Sequence, residues 1–80
     1  MRLDKYLKVS RLIKRRTVAN EACDAGRVSV NGKIARASYD VKVRDKIEIS
    51  FGTRTVNLEV CDVSETVRKD DAASLYKIID

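Results

Sequence analysis

The chain has 80 residues, of which 36% are charged, 44% hydrophobic and 5% aromatic, and it carries a formal net charge of +5. A chain of this length buries only about 60–65% of its unfolded surface, so one thin-cored domain is expected. With no proline and three glycines, the composition excludes collagen-like, proline-rich and low-complexity organisation.

Histidine is absent, which removes Ser-His-Asp triads, Cys-His nucleophiles and histidine metal sites. Cys23 and Cys61 are too few for a disulfide scaffold or a four-ligand zinc site. The glycine signatures of nucleotide-binding loops are also missing. Catalysis would have to rest on carboxylates or lysine alone, so a non-enzymatic role without cofactor or metal is expected. No apolar run is long enough for a membrane span or a secretory signal, and the cytoplasm is the expected compartment.

The charge is unevenly spread. Residues 1–16 hold Arg2, Lys5, Lys8, Arg11, Lys14, Arg15 and Arg16 against Asp4, seven minus one, or +6. Residues 17–80 hold ten basic and eleven acidic side chains, or −1. A basic block of this kind attracts a polyanion. Its spacing argues for a folded surface rather than a disordered arm: at 100° per residue Leu3, Tyr6, Leu7 and Ser10 share one arc, while Arg2, Lys5, Lys8 and Arg11 step across the other side. Tyr6, sharing the arc of Leu3 and Leu7, reads as core rather than as a platform for bases.

A second helix is predicted over residues 16–25, with Val18, Ala19, Ala22, Cys23 and Ala25 on the apolar side. Cys23 then reads as a small core residue, and Gly26 is placed to end the helix. The helix start is unusual. Lys14, Arg15 and Arg16 stand where a capping Ser, Thr, Asp or Asn is usual and where the dipole favours anions. The missing negative charge is then expected from a ligand, since helix N-termini are ready phosphate sites. Alternatively, the helix starts at Thr17 and the cations lie on a loop beside the first helix.

Residues 27–30, Asn31-Gly32 and residues 33–35 read as a tight hairpin with a type I′ turn. Ile47, Ile49 and Phe51, and then Val56, Leu58 and Val60, alternate with polar residues as half-buried strands do, and Gly52 lies in the turn between them. Residues 64–71 are polar and read as a surface connection. Residues 71–79 read as a short helix in preference to a further strand through Tyr76 and Ile78. The fold class is α+β: two N-terminal helices on one side of a small, mainly antiparallel sheet. The expected division is a domain over residues 1–63 and an extension over residues 64–80.

The runs Arg2-Leu3-Asp4-Lys5-Tyr6-Leu7, Arg15-Arg16-Thr17-Val18-Ala19 and Ala25-Gly26-Arg27-Val28-Ser29-Val30-Asn31-Gly32-Lys33 resemble the S4-type RNA-binding domain. The match spans about residues 1–51 in order. With nothing appended, the chain is similar to the stand-alone branch of small ribosome-associated heat-shock and quality-control S4 proteins. The resemblance implies an S4-like (alpha-L motif) fold. It also implies a factor that binds large-subunit rRNA and peptidyl-tRNA on split, stalled subunits and supports template-free tailing of the nascent chain, with direct contact to the tailing factor left open; a monomer is expected.

On that resemblance Arg16 is the first candidate RNA contact, with Arg2, Lys5, Lys8, Arg11, Lys14 and Arg15 beside it. Asp4 either orients Arg16 or Arg15 by a charge-assisted hydrogen bond or is simply a favourable carboxylate in the first helical turn. The chain departs from many relatives at Arg15, where Ser or Thr is common, and at Asn20, where a basic residue is common. A further departure is Asp40-Val41-Lys42-Val43-Arg44-Asp45 in place of a Pro-Gly-Asp turn. Three rival readings are a generic rRNA chaperone or assembly factor without tRNA contact, a module for an acidic protein, and a two-helix DNA-binding protein.

Overall fold

The computed structural model describes residues 1–64 and 69–79. Helices α1 (Leu3–Val9) and α2 (Arg16–Asp24) precede five strands: β1 (Val28–Val30), β2 (Lys33–Ile34), β3 (Lys46–Phe51), β4 (Arg54–Val60) and β5 (Tyr76–Ile78). The strands form one antiparallel sheet in the order β2-β1-β3-β4-β5.

The buried arc of α1 is the one its spacing predicts: Leu3, Tyr6, Leu7 and Ser10 are all buried. The Tyr6 ring is fully enclosed and its hydroxyl donates to the Leu75 carbonyl at 2.8 Å, so a buried polar tip finds its partner. Burial raises its pKa far above the ordinary tyrosine value. Helix α1 has no side-chain cap. Its first amides are satisfied instead by the next segment of chain: Leu3 donates to the Tyr39 carbonyl at 2.8 Å and Asp4 to the Ala37 carbonyl at 3.2 Å.

Helix α2 is buried along a narrower stripe than its apolar spacing suggests. Ala19 and Cys23, four residues apart, face the core and Ala22 is half-buried, whereas Val18 is 46% exposed and Ala25 is exposed. Val18 lies a full 100° behind Ala19, on the flank of the helix away from the core. Burial pushes the Cys23 thiol up to about 11, far from a reactive thiolate. The helix ends in a Schellman arrangement: Arg27 donates to the Ala22 carbonyl and Gly26 to the Cys23 carbonyl, both at 3.0 Å. Gly26 at φ 75 takes the left-handed position this requires.

In the first hairpin Val30 pairs with Lys33 across Asn31 and Gly32, both at positive φ, as a type I′ turn demands. Ile47 and Ile49 of β3 and Leu58 and Val60 of β4 point inward, in register Ile47 with Leu58 and Ile49 with Val56. Phe51 continues the alternation but is 40% exposed. It sits in the last strand position before the turn.

The helix expected over residues 71–79 needs correction. A 3-10 segment, Lys69–Leu75, is followed directly by β5, which pairs with Leu58–Val60. Both alternatives are thus realised in succession: Ala72 and Leu75 are buried, and then the unpaired edge of β4 recruits Tyr76–Ile78. Of the connection expected over residues 64–71, residues 65–68 lie outside the described residues and residues 69–71 belong to the 3-10 segment.

The turn at residues 42–45 closes with Asp45 donating its amide to the Lys42 carbonyl at 3.1 Å. Arg44 occupies its left-handed position at φ 77, a conformation that favours glycine. The buried Asp45 carboxylate accepts from the Tyr39 hydroxyl, the Asn31 amide and the Lys42 backbone, which locks the turn to the first hairpin.

Candidate nucleic-acid interface

The junction of α1 and α2 is organised round one carboxylate. Asp4 is only 2% exposed, although it stands in the most basic stretch of the chain. Its Oδ1 accepts from its neighbour Lys5 N at 2.8 Å and from Arg2 Nε at 3.2 Å. Its Oδ2 accepts from Asn20 Nδ2 at 3.2 Å and lies 3.4 Å from Arg16 Nε. Burial alone would raise the Asp4 pKa, but the bonds from Arg2, Asn20, Arg16 and the Lys5 amide outweigh it and hold the carboxyl below its ordinary value.

The two guanidinium groups meet there for different local reasons. Arg2 is the N-cap residue of α1, in an extended conformation that lets its side chain fold back over the first turn. Arg16 opens α2, and Asn20 lies four residues on, hence on the same helical face. Both guanidinium side chains remain about half exposed, at 50% and 46%. Each has five N–H donors, so several face solvent after Asp4 is served. A shallow pocket of about 370 Å³ adjoins Arg16, lined by Asp4, Arg16, Thr17, Asn20 and Glu21.

Of the two starts considered for α2, the structure has Arg16, with Arg15 as N-cap, no side-chain cap bond and no acid in the first turn. The amides at that end are therefore open to an anion. Lys8, Lys14 and Arg15 are exposed and Lys5 is half-buried. Arg11 is exposed too, but it does not lie on α1 as the three-residue steps suggest. The helix ends at Val9, and Arg11 turns away in the left-handed region at φ 63, its amide donating to the Lys8 carbonyl. Among the described residues Lys8, Arg11, Lys14 and Arg15 make no ion pair with a carboxylate.

Asp4 thus holds Arg2 and Arg16, not Arg15. Two features escape the sequence reading. Asn20, noted there only as a departure from many relatives, is a third side-chain support of Asp4, and its four-residue spacing from Arg16 is the signal for it. Summing the charge over residues 17–80 also hides a second basic region. Residues 27–46 hold Arg27, Lys33, Arg36, Lys42, Arg44 and Lys46 against Asp40 and Asp45, six minus two, or +4. Asp40 faces the terminal ammonium at 2.8 Å and Asp45 is buried.

The S4 domain family matches residues 1–47. The chain is 54% identical over 79 residues to the RQC P-site tRNA stabilizing factor of Streptococcus pneumoniae, covering 99% of this chain and 90% of the relative. It is 52% identical to the factor of that name from Bacillus subtilis, covering 99% and 92%. Among solved structures, the trimeric Vibrio cholerae Heat Shock Protein 15 superposes with a TM-score of 0.91 at 29% identity, covering 99% of this chain and 81% of that one. The solution structure of a hypothetical protein gives 0.84, also at 29% identity, covering 100% and 98%. The chain belongs to the S4-domain family and, within it, to the RQC P-site tRNA stabilizing factors.

Proposed function

We propose that the chain binds large-subunit rRNA and peptidyl-tRNA on split, stalled ribosomal subunits and holds the tRNA while the nascent chain is tailed without template. It acts in the cytoplasm by binding alone, as a single copy, with no cofactor and no catalytic step. Arg2 and Arg16 are the central phosphate contacts, Lys5, Lys8, Arg11, Lys14 and Arg15 extend the surface, and Asp4 orients the two arginines.

The observation that carries this reading is the buried Asp4 with a half-exposed arginine on each side. A carboxylate that fixes two planar forks prepares them for bidentate phosphate contact and spares them ordering entropy on binding. A-form RNA exposes its backbone and shape rather than its major-groove base edges, which suits such a cradle. The names of the full-length relatives, together with the S4 match, support tRNA on the ribosome as the partner.

The test is affinity purification of the tagged chain beside an Arg16→Ala variant of equal thermal stability, with sequencing of the bound RNA. Large-subunit rRNA and tRNA are expected with the wild type and loss of both with the variant. Bound particles that contain rRNA and no tRNA would favour a subunit assembly factor instead. With four to six phosphates neutralised, log affinity should fall against log salt with a slope of roughly −3 to −5; a flat salt response would contradict the mechanism.

A further inference from the structure

Beside the start of α1 lies a groove of about 510 Å³ that the α1–α2 surface does not use, a size typical of small-ligand sites. Its walls are β2 with the Asn31 turn on one side and residues 35–39 on the other. Ile34 lies in it 70% exposed, the most exposed large hydrophobic residue among those described. Tyr39 forms a wall, and its hydroxyl is tied to Asp45 at 2.9 Å, so the ring is fixed. Lys33 and Arg36, both exposed, stand on the lining. Neither forms an ion pair among the described residues, and no acidic residue lines the groove.

The groove is also joined to the surface already described. The carbonyls of Ala37 and Tyr39 accept the first amides of α1, and Arg2 bridges to Asp40. The segment that carries Arg36 is therefore the one that closes onto the start of α1 beside Arg2.

We propose that this groove receives one unpaired nucleotide of the bound RNA, its base against Ile34 and the Tyr39 ring and its flanking phosphates at Lys33 and Arg36. The inference rests on the RNA-binding reading above. An apolar floor with a fixed aromatic wall offers a face for stacking, which every base accepts, and two free cations at the rim match the charge of the adjoining backbone. A phosphate-only contact would leave the exposed Ile34 without purpose, and an acidic peptide would leave the aromatic wall without a matching group.

The test compares the full chain's affinity for two RNA hairpins of equal length, one fully paired and one bearing a single bulged 2-aminopurine. The wild type should prefer the bulged hairpin by about tenfold, with a change in probe fluorescence on binding, as one stacked base would give. Ile34→Ser changes no charge and removes an exposed side chain, so it should stay folded and bring the ratio close to one. A Lys33→Ala, Arg36→Ala double variant should reduce affinity for the bulged hairpin more than for the paired one.

Equal affinities in the wild type, or a preference that survives both variants, would overturn the proposal. So would a poly-glutamate peptide that displaces the bulged hairpin from the wild type but not from Ile34→Ser. Arg16→Ala separates the two levels: if it leaves affinity for both hairpins intact, the α1–α2 interface fails, whereas loss of the bulge preference alone fails only the groove.

Discussion

The α1–α2 junction and the outer face of the sheet are both crowded with charge, yet they are built in opposite ways. On the sheet, Lys46 pairs in register with Glu59, and Glu59 with Lys77, whose ammonium lies 3.7 Å away. Glu48 stands between Ser29 and Asn57. Opposite signs alternate across neighbouring strands and cancel locally. At the junction one acid is withdrawn into the interior and the cations around it point outward. The number of charges therefore does not mark the binding surface. What marks it is that the acid bound to both arginines, Asp4, is buried, where it can orient cations without masking them.

The largest effect should come from the inner side of the sheet. Leu58→Ala removes a fully buried side chain and should cost about 2–5 kcal/mol in denaturant unfolding. RNA affinity measured on the protein that remains folded should not change. A loss of affinity without loss of stability would erase the distinction between scaffold and surface.

Acid should act next, and through the junction more than through the sheet. The Asp4 carboxyl sits below its ordinary value when folded, so its contribution is complete above the unfolded value of about 3.9 and drains as the pH falls through the folded value. The melting temperature of the wild type should therefore fall on acidification below about pH 4, and Asp4→Asn should flatten that limb. An identical acid limb in both proteins would remove Asp4 from the stability account.

Two arginines stand in left-handed backbone, Arg11 at the junction and Arg44 in the turn that leads into β3. A side chain in that conformation is disfavoured, and glycine should relieve about 0.5–1 kcal/mol at either place. Arg44→Gly should raise the melting temperature and leave RNA affinity alone. Arg11→Gly should raise it similarly but weaken RNA binding and make the salt slope shallower by about one. Equal RNA effects from the two would show that backbone strain, not position, governs them. Smallest of all, Glu59→Gln breaks an exposed pair and should shift stability by less than about 0.5 kcal/mol, again without altering RNA affinity.

Much of this was legible in the residues. The three- and four-residue spacing of Leu3, Tyr6 and Leu7, the Asn31-Gly32 turn and the alternation of Ile47 and Ile49 are local patterns that each admit few backbone solutions, and the S4 resemblance ordered them. What escaped was set by tertiary contact. Val18 has the chemistry of a core residue but lies on the flank of α2 away from the core, and Phe51 keeps its alternation at the last strand position before the turn while staying 40% exposed. Tyr76–Ile78 became a strand because β4 offered an unpaired edge, which no local propensity encodes. In the site, the motif reading set Asp4 beside Arg16 or Arg15, whereas the folded chain sets it between Arg16 and Arg2. The role of Asn20 depended on a distance between two helices, and the Lys33 and Arg36 cations disappeared in an average taken over too long a stretch.

The central claim is that Asp4 serves binding by holding Arg2 and Arg16 in place. Its most direct test is the affinity of Asp4→Asn for a structured rRNA fragment at fixed salt, with folding checked by melting. Charge alone says that removing an acid from a basic surface tightens RNA binding. If Asp4 orders the two arginines, binding weakens by about five- to tenfold, the scale of losing a charge-assisted hydrogen bond that orders a contact. Unchanged or tighter binding by the folded variant would contradict it.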